Sequence, residues 1–178
     1  IKTNLGSNNF KDFINVRKAF SSYIKEIKEE LKEKTPKLYF IHGNMSPLEL
    51  KSLYESKKIK FLLSCTRGEG FGLTMLEAAV CGLPIVATNH SAYKEYLDYF
   101  IGIDCKINNI SHKKIDNEVF VENSSWADFD KNSLSDIISK IFNNNLINYE
   151  KVSLQKKNLI NKMSKTSIIN IYKNYLSE

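Results

Sequence analysis

Residues 64–77 read S-C-T-R-G-E-G-F-G-L-T-M-L-E. Gly68, Gly70 and Gly72 fall at every second position, Glu69 lies among them, and Glu77 follows Glu69 by eight residues. Glycines at a corner let the backbone turn sharply, and a helix starting there aims its first N–H groups at an anion. Carboxylates do not bind phosphate; they accept hydrogen bonds from hydroxyls. Amides for an anion, flanked by carboxylates for hydroxyls, fit a ligand with a diphosphate and sugars on both sides of it.

Other chemistries fail on spacing. A dinucleotide G-x-G-x-x-G is broken by Leu73 at its third glycine, and no G-K-S/T follows to make a phosphate loop of the Walker type. No G-x-S-x-G marks a nucleophile elbow. His42, His90 and His112 are too scattered for a metal pair. Cys65, Cys81 and Cys105 form neither a metal nor a disulfide framework, which points to a reducing compartment. Neither a metal nor a cofactor is expected.

The elements that must position this stretch follow from hydrophobic period and punctuation. An apolar run, 59–63, within a strand over 58–65, feeds the corner. Residues 73–80 have a helical pattern closed by Gly82 and Pro84. Ahead of them, residues 1–5 read as a short strand and 10–34 as a helix with Phe13, Val16, Phe20, Ile24, Ile27 and Leu31 on one face. Residues 37–43 read as a buried strand. Ser46, Pro47 and Glu49 form a capping box that opens a helix to about Ser56. After the corner come a strand over 84–89, a short helix capped by Ser91 and running to about Leu97, and a strand over 100–105. Strands alternating with helices predict an α/β fold with a doubly wound, mostly parallel sheet, whose ligands bind beyond the carboxyl ends of the strands. Gly43, the glycine corner and His90 fall at such ends. Residues 106–131 read as a long polar loop pinned by Trp126. Three helices follow, over 134–142 with Ser133 as cap, 149–163 and 166–176.

The corner and its sequel resemble the donor-binding motif of retaining, family-4-like glycosyltransferases of the GT-B fold (glycosyl transferases group 1). The resemblance rests on Glu69, Gly70, Phe71, Gly72 and Leu73, then Leu76, Glu77 and Ala78, then C-G-L-P-I-V-A-T over 81–88, and Glu95. It implies one Rossmann-like half of a GT-B architecture, with residues 1–178 as a single nucleotide-sugar-binding domain. It further implies that Glu77 holds the ribose hydroxyls. Glu69 would contact the donor sugar or support positive charge at its anomeric carbon. Backbone amides of Phe71, Gly72 and Leu73 would face the leaving diphosphate. Residues 11–20 are similar to a lysine-led segment of the family, and Lys11 inherits a diphosphate contact; otherwise it is an exposed helix-start lysine. The family's arginine five residues earlier is replaced by Gly6. Gly43, Asn44 and Met45 are either base contacts or a tight connection, and His42 is a strand-end residue. Arg67 either orients Glu69, neutralises phosphate or forms a surface salt bridge.

The implied activity is that of a hexosyltransferase-type enzyme moving sugar from a nucleotide-sugar to a glycan or lipid-linked acceptor. In the family an acceptor domain precedes this one, so the chain is expected to be either the C-terminal donor half of a longer enzyme, without that enzyme's N-terminal acceptor domain, or an isolated donor domain. Two other readings stay open: a non-catalytic nucleotide or sugar-phosphate binding module, and a flavodoxin-like interaction domain in which the corner is only a turn. The 178 residues carry a net charge of +6, through lysines spread over solvated helix faces. That balance allows peripheral contact with an anionic membrane face. No aromatic-plus-basic cluster points to nucleic acid, and no apolar run is of membrane-spanning length. A cytoplasmic location is expected.

Overall fold

A computed structural model describes residues 1–3, 9–31, 36–116, 118, 120–143 and 146–177. They cluster into two compact units, Ile1–Leu50 and Lys51–Glu178.

In the first unit, β1 (Lys2–Thr3) pairs in parallel with β2 (Ile41–His42), and the long helix α1 (Phe10–Leu31) connects them. The predicted helical face is only half realised. Val16 is buried, Phe13, Phe20 and Ile24 are half-buried, and Ile27 and Leu31 are exposed. The predicted buried strand over 37–43 shrinks to Ile41 and His42. Residues 36–40 have no strand partner among the described residues, and Leu38 and Tyr39 are exposed. An apolar run becomes a strand only where a neighbour supplies the ladder. The capping box forms as predicted. Glu49 accepts from the Ser46 amide at 2.7 Å, and Ser46 Oγ accepts from the Glu49 amide at 3.3 Å. They open α2 (Pro47–Tyr54), which spans the division between the units.

The second unit is built on a parallel sheet of order β3 (Leu62–Ser64), β4 (Ile85–Thr88), β5 (Ile101–Ile103), and the fold is mixed α/β, consistent with a Rossmann-like half. Every residue of β4 is buried, as expected of a central parallel strand. Helix α3 (Leu73–Cys81) packs on β4, and α4 (Lys131–Phe142) packs on β5. Val86, Ile101, Ile103, Ile137 and Ile141 form a core cluster, with Phe61, Phe129 and Leu134 against it. Helix α5 (Tyr149–Lys162) lies on α3, where Lys156 Nζ donates to the Cys81 carbonyl at 3.2 Å. Helix α6 (Lys165–Leu176) packs on α5 and buries no residue.

Three expectations are corrected here. Residues 106–131 are not a plain loop: β6 (Cys105–Asn109) and β7 (Ser125–Phe129) pair antiparallel as a ribbon. Its strands are polar enough to pass for a loop by composition. Helix α4 is capped by Asp130, whose carboxylate accepts from the amides of Asn132 and Ser133, while Ser133 Oγ instead accepts from the Asp104 amide. Ser91 precedes a single 3-10 turn, Ala92–Glu95, and makes no capping bond to it. No described helix is long and apolar enough to cross a membrane.

Candidate functional site

At the carboxyl end of β3 the chain leaves the sheet and enters the glycine corner. Gly72 has φ 81°, a left-handed conformation that glycine adopts without steric cost. A Cβ there would stand 3.2 Å from both Tyr93 Cδ1 and the Tyr96 hydroxyl. Gly72 thus serves two needs at once, a positive φ and a close approach to two tyrosines. Gly68 and Gly70 face open space.

Two tyrosines floor the corner. The Tyr96 hydroxyl lies 2.9 Å from the Phe71 carbonyl and 2.8 Å from the Gly72 carbonyl, and its ring stacks on Phe71 with centroids 5.0 Å apart. Tyr93 donates to the Thr88 carbonyl at the end of β4 and is fully buried. Burial pushes both phenols up to about 12, with the Glu69 charge adding to it. The carbonyls of Phe71 and Gly72 are thereby held inward. The first amides of α3 have no intrahelical acceptor, as in any helix, and Phe71 and Leu73 are exposed. The corner is thus a braced base in which Gly72 is buried between exposed Phe71 and Leu73.

Glu77 is exposed one and a half turns into α3. It interacts with the hydroxyl of buried Tyr54 at the end of α2, which burial and the Glu77 charge push up to about 12. Glu69 is half-buried, and its amide donates to Ser91 Oγ at 3.1 Å. Ser91 adopts φ 88° and ψ 170°. That region belongs to glycine, and a side chain there costs about 1–3 kcal/mol.

Arg67 forms the ion pair that the sequence left as one of three roles. Its Nε donates to Asp128 Oδ1 at 2.6 Å, and its guanidinium lies 4.0 Å over the Trp126 ring. The Arg67 carbonyl accepts from the Ala127 amide at 2.9 Å. Asp128 Oδ2 accepts from Asn108 Nδ2 at 3.0 Å and Trp126 Nε1 at 3.2 Å. These bonds, Asn108's first and then Arg67's, hold the Asp128 carboxyl below the usual carboxylate range. The β6–β7 ribbon is thus a brace on the motif loop, and Trp126 is its anchor as expected.

In the first unit, Lys11 is exposed in the opening turn of α1, next to buried Asp12. Asp12 Oδ2 lies 2.7 Å from His42 Nε2, which ties the start of α1 to the end of β2. Gly43 follows at φ 95° and is buried, Asn44 is exposed and Met45 is half-buried. His42 is a strand-end residue, with Asp12 as its partner. Gly6 lies outside the described residues.

The structure thus gathers Glu69, Gly70, Phe71, Gly72, Leu73 and Glu77 on the β3–α3 connection, and Lys11 with Gly43, Asn44 and Met45 around the Asp12–His42 tie. Sequence reading missed Tyr54, Tyr93, Tyr96 and Asp128. Tyrosines three apart after the β4 strand were the one visible signal for the floor. Nothing in the sequence links Asp128 to Arg67, 61 positions away. Among the described residues no group of three or more His, Cys, Asp or Glu could hold a metal ion.

A family model described as glycosyl transferases group 1 matches residues 21–150. The span takes in the whole β3–α3 corner and the ribbon that braces it, and Lys11 lies ahead of it. No curated protein and no solved structure matches the chain significantly.

Proposed function

Because the chain belongs to the group 1 glycosyl transferases, we propose that residues 1–178 form the donor-binding domain of an enzyme that transfers sugar from a nucleotide-sugar with retention of anomeric configuration. The observation that carries the proposal is the braced glycine corner. Helix-start amides lie between a half-buried Glu69 and an exposed Glu77 within the matched span. Amides of Phe71, Gly72 and Leu73 meet the diphosphate, where fixed dipoles stabilise charge on a departing group without reorganising. Glu77, held by Tyr54, accepts from the vicinal ribose hydroxyls. Glu69 accepts from the donor sugar or offsets positive charge at its anomeric carbon. In the first unit, the family resemblance assigns Lys11 a diphosphate contact and Gly43, Asn44 and Met45 a base contact. The acceptor is a glycan or a lipid-linked sugar.

The test is calorimetric titration of the purified chain with UDP, GDP, ADP and their sugar conjugates, with Glu77→Ala alongside. Saturable binding of one nucleotide series, weakened in the variant, supports the donor reading. Absence of binding by all of them, or binding indifferent to Glu77, overturns it.

A further inference from the structure

We propose that Ser91 is a positioning residue for Glu69: its hydroxyl pins the Glu69 amide, and the chain keeps a serine in a glycine conformation for the sake of that pin. The proposal rests on the donor reading of Glu69 for its consequence, but not for its geometry.

Three observations carry it. First, Ser91 departs from ordinary backbone space, at φ 88° and ψ 170°. Of the two described non-glycine residues with positive φ, the other, Asn123 at φ 65°, belongs to a residue type that tolerates the left-handed region. A serine gains no such exemption, so something in the fold must hold it there. Second, Ser91 Oγ does not cap the turn that follows it, which is the ordinary use of a serine at that position. It accepts instead from Glu69, 22 residues away, at 3.1 Å. Third, Glu69 lies between two glycines with open space around them, where the backbone has the most freedom to lose. Behind it, Arg67 is tied to the ribbon. Ahead of it, Phe71 and Gly72 are tied to Tyr96. The bond to Ser91 is the tie at Glu69 itself, and it brings the end of β4 to the end of β3.

A carboxylate that must meet a sugar within a few tenths of an ångström needs a fixed backbone. Ser91 supplies it. A glycine would accept the conformation freely but would have no hydroxyl. The bond also spends the Glu69 amide, so the anion is left to the amides further on, at Phe71 to Leu73.

The test compares Ser91→Ala and Ser91→Gly in the full chain with the parent protein. The readouts are melting temperature, amide hydrogen exchange at Glu69, and affinity for a nucleoside diphosphate and its sugar conjugate. Loss of the acceptor should speed Glu69 exchange about tenfold in both variants. It should weaken the sugar conjugate about fivefold while the free nucleoside diphosphate, held through Glu77, binds as before. Ser91→Gly should melt above Ser91→Ala, the reverse of the usual order for these two residues, because only glycine relieves the backbone. Unchanged Glu69 exchange overturns the pin. Equal weakening of both ligands overturns positioning in favour of general loosening. A lower melting temperature for Ser91→Gly than for Ser91→Ala overturns the strain. If the parent protein binds no nucleotide, the donor reading fails, and exchange at Glu69, which needs no ligand, still decides the pin.

Discussion

Two carboxylates in the corner differ in how they are held, and the difference sets what each substitution does. Glu77 is exposed and faces a buried phenol, so it is oriented by its side chain. Removing it in Glu77→Ala should cost about 10- to 100-fold in nucleotide affinity, the worth of charge-assisted hydrogen bonds, with little change in melting temperature. Tyr54→Phe keeps the carboxylate and removes only the phenol that orients it. It should weaken nucleotide binding about three- to tenfold, and equal binding by parent and variant would remove Tyr54 from the site. Gly72 has no such latitude. Ala at this position meets a disfavoured φ, the Tyr93 ring at 3.2 Å and the Tyr96 hydroxyl at 3.2 Å. Gly72→Ala should destabilise the fold by about 2–4 kcal/mol in chemical denaturation.

The element that most affects the site is one the sequence hides. The β6–β7 ribbon is polar, and read by composition it is a loop, yet its cross-strand register places Asn108 opposite Trp126 and Asp128 opposite Lys106. From that ribbon Asp128 reaches Arg67 at the mouth of the corner. Asp128 has a folded value below the ordinary 3.8, so its contribution is complete above that ordinary value. It is lost as pH falls through the folded one. Acidification below about pH 4 should therefore release the Arg67 tie before the core sheet is affected. The lone tryptophan, Trp126, reports this directly because Arg67 stacks on it. Its fluorescence should change in that acid range while far-ultraviolet circular dichroism holds. The same fluorescence change should be absent in Asp128→Asn, whose amide does not titrate.

At the scale of the whole molecule, the tyrosines set an alkaline limit. Tyr54, Tyr93 and Tyr96 are buried in the second unit and are pushed up to about 12. A folded value above the ordinary 10 means that stability is fully present below pH 10 and lost as pH rises towards 12. Ultraviolet titration of the nine tyrosines should show a group that ionises only as the fold opens in this range. A single early transition for all nine would contradict the buried floor.

What the sequence determined by itself was local or periodic. The capping box at Ser46, the helix starting at Leu73 and stopped by Gly82, the central strand over 85–88 and the α/β class all follow from short-range chemistry, where a residue's partners lie within a few positions. The family could be read from the order E-G-F-G-L and C-G-L-P for the same reason. Only the tertiary structure decided how the corner is held. The ties from Ser91 to Glu69, from Asp128 to Arg67, and from Tyr96 to the carbonyls of Phe71 and Gly72 span 22 to 61 positions. A side-chain hydrogen bond over such a distance leaves no periodic trace in the chain. It depends on where the sheet brings the strand ends, and the glycines that open the corner give the sequence no means of saying what closes it.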